Sequence, residues 1–184
     1  MGVPESGIAE QQMRLNRFLA RCGIASRRRS DDLIQSGVIS VNGEVIDEPG
    51  RVVDVASDLV EYQGNTITLP DRYEYLLLNK PAGYLVTRSD PGKRPTVYDL
   101  LQDLHPGTVP VGRLDMDSRG LLILSDDGTV AKGVIGPEAD LEKEYIVRIR
   151  GKITGKKMAL LREGLELDGR KLKPARVTGI ADQT

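Results

Sequence analysis

Apolar positions along the chain change their period twice. Leu15, Phe18, Leu19 and Cys22 recur at helical spacing among arginines, which predicts an amphipathic helix over residues 14–22 with Gly23 as its stop. Ser26 is a natural N-cap, and a second helix is expected from Arg27 to Gln35, ended by Gly37. The period then drops to two. Residues 38–41 and 44–46 flank Asn42-Gly43, the dipeptide favoured in two-residue hairpin turns. Residues 51–53 and 59–62 add strand-like pieces, while residues 1–12 are polar and read as a loose tail. These elements make a small helix-helix-hairpin unit.

A second unit follows the turn at Pro70-Asp71. Residues 75–78 read as an apolar strand, stopped by Lys80-Pro81-Ala82-Gly83. Thr96 is placed to cap an amphipathic helix in which Val97, Leu100, Leu101 and Leu104 share a face. Residues 109–111, 121–124 and 145–149 are expected strands, and residues 158–162 a helix. Strands and helices that mix without regular alternation favour an α+β fold over a doubly wound sheet. Residues 175–180 read as a strand and Asp182-Gln183 as the start of a turn into another. The chain therefore reads as cut off, since a sheet ending there presents a raw edge.

Composition narrows the function. Hydrophobic residues form 39% and charged residues 29% of the 184, the balance of a soluble globular protein. No apolar run approaches the roughly 20 residues of a membrane span. One cysteine (Cys22) and one histidine (His105) argue against a disulfide framework, a zinc finger and a Ser-His or Cys-His machine, and point to a cytoplasmic setting. Trp is absent and Phe18 is the only Phe, which disfavours platforms that stack several bases. The net charge of −1 conceals segregation: residues 13–30 carry six arginines and no acid (+6), residues 31–61 one base against eight acids (−7), and residues 142–176 eleven bases against five acids (+6). Either basic block alone reads as a solvated helix face, but the pair suggests two surfaces for a polyanion.

Candidate chemistry concentrates at Gly112-Arg113-Leu114-Asp115-Met116-Asp117-Ser118-Arg119-Gly120, directly before an apolar strand. Such a segment can hold a carboxylate at the mouth of a sheet, kept ionised by a neighbouring guanidinium; it also reads as a charged turn whose aspartates satisfy backbone amides. The segment resembles the signature of ribosomal RNA pseudouridine synthases, in the group carrying an N-terminal RNA-binding domain of the ribosomal-protein-four type. Leu76-Leu77-Leu78-Asn79-Lys80-Pro81-Ala82-Gly83 is similar to the family's first motif, and Glu142-Lys143-Glu144-Tyr145 to its motif around a tyrosine. Arg14-Leu15-Asn16-Arg17-Phe18-Leu19, Gly23-Ile24-Ala25-Ser26-Arg27-Arg28 and Val41-Asn42-Gly43 resemble the RNA-binding domain. Within the family, Asp115-Met116-Asp117-Ser118 together with the tyrosine motif is most similar to the large-subunit branch termed F.

The resemblance implies an RNA-binding domain at residues 13–71 and a catalytic domain at residues 72–184, the latter a mixed, mainly antiparallel sheet. It implies isomerisation of a uridine in structured RNA, ribosomal or transfer, to its carbon-linked isomer, with no cofactor, metal or membrane. Asp115 then stands as the catalytic aspartate, a buried carboxylate that attacks the sugar or base or removes a sugar proton. Tyr145 packs on the uracil and is a candidate base for the proton at carbon five. Arg113 contacts RNA or fills the gap left by a flipped nucleotide, or else pairs with Asp115 or Asp117. Lys80 and Pro81 shape the floor, and Arg14, Arg17, Arg27 and Arg28 contact phosphates. The family continues beyond this chain's last residue into a further basic motif. Two other classes remain open: a non-catalytic RNA-binding or ribosome-assembly factor, and a metal-dependent hydrolase using Asp115, Asp117, Asp126 and Asp127, whose spacing matches no recognised metal loop.

Overall fold

In the computed structural model, which describes residues 11–179, the chain divides after Leu141 into two units. The first unit opens with β1 (Gln12–Arg14), which leads directly into α1 (Leu15–Arg21). Gly23 follows in the left-handed region at φ 75°, and Ser26 caps α2 (Arg27–Gln35) by accepting the Arg29 amide at 3.4 Å. β2 (Ile39–Val41) and β3 (Glu44–Ile46) form the expected hairpin around Asn42 and Gly43. β4 (Val52–Asp54) pairs back onto β1, so Gln12, expected in the tail, lies opposite Asp54; residues 1–10 of that tail lie outside the described residues. β5 (Val60–Tyr62) pairs with β2 and β6 (Asn65–Thr66) with β5, giving the order β3-β2-β5-β6. Leu15, Phe18, Leu19, Ile34, Ile39 and Val60 are buried in one core, as the two periods require. Cys22 packs against that core, and burial pushes its thiol up to about 12.

The same unit continues into a three-stranded antiparallel sheet of β7 (Tyr75–Lys80), β8 (Val109–Val111) and β9 (Gly120–Ser125), in the order β7-β9-β8. Leu78 faces Leu122 and Leu76 faces Leu124 across the β7–β9 ladder, and this face packs on Val97. Asp127 accepts the Thr129 amide at 2.8 Å to cap α3 (Gly128–Ile135).

The helix expected after Thr96 shrinks to one 3-10 turn, Val97–Leu100, closed by the Thr96 amide donating to Asp99 Oδ2 at 2.6 Å. Leu101 is already extended (φ −115°, ψ 127°), and Pro106 disfavours helical backbone at His105. The four apolar residues therefore share no face: Val97 is fully buried while Leu100 reaches the surface.

The second unit contains α4 (Gly155–Glu163), capped by Thr154, and the short pair β10 (Glu166–Leu167) and β11 (Arg170–Lys171). The strand expected at residues 145–149 is absent, as is that at residues 175–179; Ile180 lies outside the described residues. An extended segment becomes a strand only when a neighbour supplies its ladder. Among the described residues of this unit the one ladder is β10 with β11. No helix among the described residues is long and apolar enough to cross a membrane.

Candidate active site

Strand alternation decides the fate of Lys80. Along β7, residues 75, 77 and 79 are exposed and residues 76, 78 and 80 turn inward, so the last inward position holds a lysine. Lys80 is fully buried. Its Nζ donates to the carbonyls of Ser118 at 2.7 Å, Pro81 and Asp115 at 3.0 Å each, and Met116 at 3.1 Å. Burial lowers the ammonium's pKa, and the charges of Asp117 and Asp115 oppose that shift. Three of the four acceptors belong to the loop joining β8 to β9, and a fourth strut comes from the Gly83 amide on Met116 O at 2.8 Å. The loop begins at Gly112 (φ 90°) and ends at Gly120 (φ 132°), backbone that L side chains rarely adopt.

The loop held in this way presents Asp115 and Arg113 to a cleft of about 360 Å³. Its other walls are residues 85–87 with Ser89, Asp90 and Arg94. Asp115 is exposed at this cleft, where the resemblance implied a buried carboxylate: among the described residues its loop is held from the Lys80 side. Arg113 is exposed as well and makes no ion pair with Asp115 or Asp117 among the described residues. Pro81 is exposed in the turn after β7. Tyr145 lies in the second unit, 64% exposed in an irregular segment.

Asp126 and Asp127 do structural work. Asp126 Oδ1 accepts the Glu74 amide at 2.7 Å, and Asp127 Oδ2 accepts the Tyr75 hydroxyl at 2.8 Å while its Oδ1 caps α3. That bond pushes the Tyr75 phenol up to about 12. Glu74 Oε2 accepts the Thr108 hydroxyl and the His105 amide, and His105 Nδ1 accepts the Gly107 amide at 3.1 Å. The sequence raised Asp126 and Asp127 as carboxylates of a metal-dependent hydrolase; the structure instead engages them in these hydrogen bonds, and the alternation along β7 signals only that Tyr75 lies on the exposed face. No cluster of three or more His, Cys, Asp or Glu poised for a metal occurs among the described residues.

The candidate RNA-contacting arginines fall into two classes. Arg14, Arg27 and Arg28 are exposed. Arg27 and Arg28 open α2, whose first turn has no acid. Cations at the positive end of a helix dipole oppose its stability. Arg17 is half-buried, with Nη2 3.9 Å from the position a Cβ would occupy at Gly128. One turn on, the Arg21 guanidinium lies 4.2 Å from the centre of the Tyr73 ring. Both therefore face the seam between the helical part of the unit and the three-stranded sheet.

Comparison with known proteins gives a consistent result. Residues 74–179 match the RNA pseudouridylate synthase family and residues 13–60 match the S4 domain. An uncharacterized RNA pseudouridine synthase of Aquifex aeolicus is 38% identical over 89% of this chain and 66% of its own length. Ribosomal large subunit pseudouridine synthase B of Bacillus subtilis is 34% identical over 89% of this chain and 66% of its own. The synthase B of Yersinia pestis is 38% identical over 84% of this chain and 50% of its own. The chain thus spans half to two thirds of these relatives, and those named for a branch carry the designation B where the sequence resembled F. A solved structure described as that of a pseudouridylate synthase superposes with a TM-score of 0.58 at 28% identity, covering 92% of this chain and 74% of that one.

Proposed function

The chain belongs to the RNA pseudouridylate synthase family, and on that premise we propose that it takes part in converting a specific uridine of structured RNA to pseudouridine, with Asp115 as the catalytic group. The observation that carries this reading is the loop of residues 112–119, gripped from beneath by Lys80 and offering Asp115 and Arg113 to one cleft. Isomerisation breaks the bond between the ribose and N1 of uracil, turns the base, joins carbon five to the ribose and releases the proton from carbon five. A carboxylate fixed by its own backbone can attack the sugar or base, or take a sugar proton, without first being ordered. Arg113 supports a flipped nucleotide or fills the space it leaves. Pro81 and Lys80 form the floor, and Tyr145 is the candidate base for the proton at carbon five.

Residues 13–71 serve as the RNA-binding domain in this reading and residues 72–184 as the catalytic part. Arg14, Arg17, Arg27 and Arg28 contact phosphates, Arg17 being the least accessible of the four. Contact of this kind reads charge and shape and positions the RNA without reading bases. The names of the relatives make ribosomal RNA of the large subunit the first substrate to test.

The test is release of tritium from carbon-five-labelled uridine in that RNA by the full-length protein, compared with Asp115→Asn. Stoichiometric release by the parent and none by a variant that still folds and binds RNA supports the reading. Equal release by both removes Asp115 from the chemistry. RNA binding without release by the parent reassigns the protein as a binding factor.

A further inference from the structure

The cleft that Asp115 lines has a second cationic wall, which the motif around Asp115 does not include. Residues 86–95 form a loop whose ends are tied: the Leu85 amide donates to Pro95 O and the Val97 amide to Leu85 O, each at 2.8 Å. Inside it Arg94 meets Asp90 side by side, Nη2 to Oδ1 at 2.7 Å and Nε to Oδ2 at 3.0 Å, and the Arg94 amide adds a third bond to Oδ2 at 3.0 Å. The carboxylate side chain is only 8% exposed, whereas the guanidinium side chain is 57% exposed. Both residues line the cleft.

Stoichiometry shows what is left over. A guanidinium has five N–H donors. Asp90 takes two along one edge, leaving three on the rest of the fork. The bidentate grip also removes the rotational freedom that a solvent-exposed arginine must otherwise lose on binding. The nearby Arg88 is a contrast of place: it stacks 4.4 Å from the centre of the Tyr98 ring, its Nη2 donates to the carbonyls of Pro106 and Thr108, and it does not line the cleft.

We infer that Arg94, held by Asp90, clamps a backbone phosphate of the RNA whose target nucleotide enters the Asp115 cleft. The inference rests on the proposed reaction. Arg94 acts by binding and orienting: its free donors suit phosphate oxygens, and its tether fixes how deep the nucleotide can travel toward Asp115. The hydrogen bonds from Arg94 hold the Asp90 carboxyl at about 2, so the tether persists wherever RNA is stable.

The experiment compares the full-length protein with Arg94→Met and Arg94→Lys in three measurements: RNA affinity against salt concentration, kcat and KM from tritium release, and thermal unfolding. Loss of one phosphate contact lowers the slope of log affinity against log salt by about one and raises KM at least about tenfold, with kcat within about threefold. Arg94→Lys should not restore KM, because a point charge cannot hold Asp90 and a phosphate together. An unchanged slope for Arg94→Met overturns the clamp, whether KM stays constant or rises only with lost thermal stability. A lower slope for Arg94→Met in a parent that releases no tritium overturns the proposed reaction and leaves the clamp standing.

Discussion

The ammonium of Lys80 donates to the main-chain carbonyl of Asp115 across 3.0 Å, joining residues 35 apart in sequence. Its other bonds reach Met116, Ser118 and Pro81, so one buried cation organises the whole loop that bears the carboxylate. A lysine here is costly to bury, and the four carbonyls that converge on it offset that cost.

Lys80→Met keeps the volume and removes the donors. The carbonyls left behind in a buried position cost about 1–3 kcal/mol, to be measured by urea unfolding. In a folded variant kcat should fall further than RNA affinity, since the loop loses its geometry while the phosphate contacts remain. Parent-like stability and turnover would show that the loop holds its own shape.

Arg27→Ala and Arg28→Ala separate an anion-binding role from a solvated helix face. Removing cations from the N-terminal turn of α2 should leave stability unchanged or raise it by about 0.3–1 kcal/mol each. RNA affinity should fall, and its salt slope should drop by about 0.7 to 1 per arginine. A loss of stability with RNA affinity intact would contradict this.

The seam contact between Arg21 and Tyr73 should be visible in a double-mutant cycle. With the guanidinium 4.2 Å from the ring centre, Arg21→Met and Tyr73→Leu are expected to couple by about 0.5–2 kcal/mol in thermal unfolding. Additive effects would mean that the contact contributes no stability.

Alkaline pH should loosen the corner between β7 and α3. The hydrogen bond to Asp127 raises the Tyr75 phenol from 10.0 to about 12. A raised folded value means that the contribution is complete below pH 10 and is lost as pH rises through about 12. The stability difference between the parent and Tyr75→Phe should therefore shrink across that window, followed by tyrosinate absorbance and unfolding midpoints. A constant difference would place the bond's benefit elsewhere.

Cys22 should resist alkylation. Moving its thiol from 9.0 to about 12 lowers the thiolate population at pH 8 about a thousandfold, before any steric protection. Iodoacetamide should label it at that slow rate when folded and rapidly in urea; fast labelling of the folded protein would overturn its placement against the core.

What the sequence determined by itself is what local energetics settle. Ser26 caps α2, Gly23 takes φ 75° and Gly37 φ 70° at the helix ends, and Asn42-Gly43 turns the hairpin, each set within a few residues by a cap or a backbone preference. The run from Gly112 to Gly120 announced a special loop for the same reason. The tertiary structure decided the rest. Lys80 became the loop's anchor because β9 brings residues 115–118 over the end of β7. The Arg94–Asp90 tether acquired meaning only where its loop meets Asp115 in one cleft. Residues 145–149 have the pattern of a strand, yet form none. A helix satisfies its hydrogen bonds within its own segment, whereas a strand, a buried ammonium and a cleft all depend on groups far along the chain, and only packing brings those together.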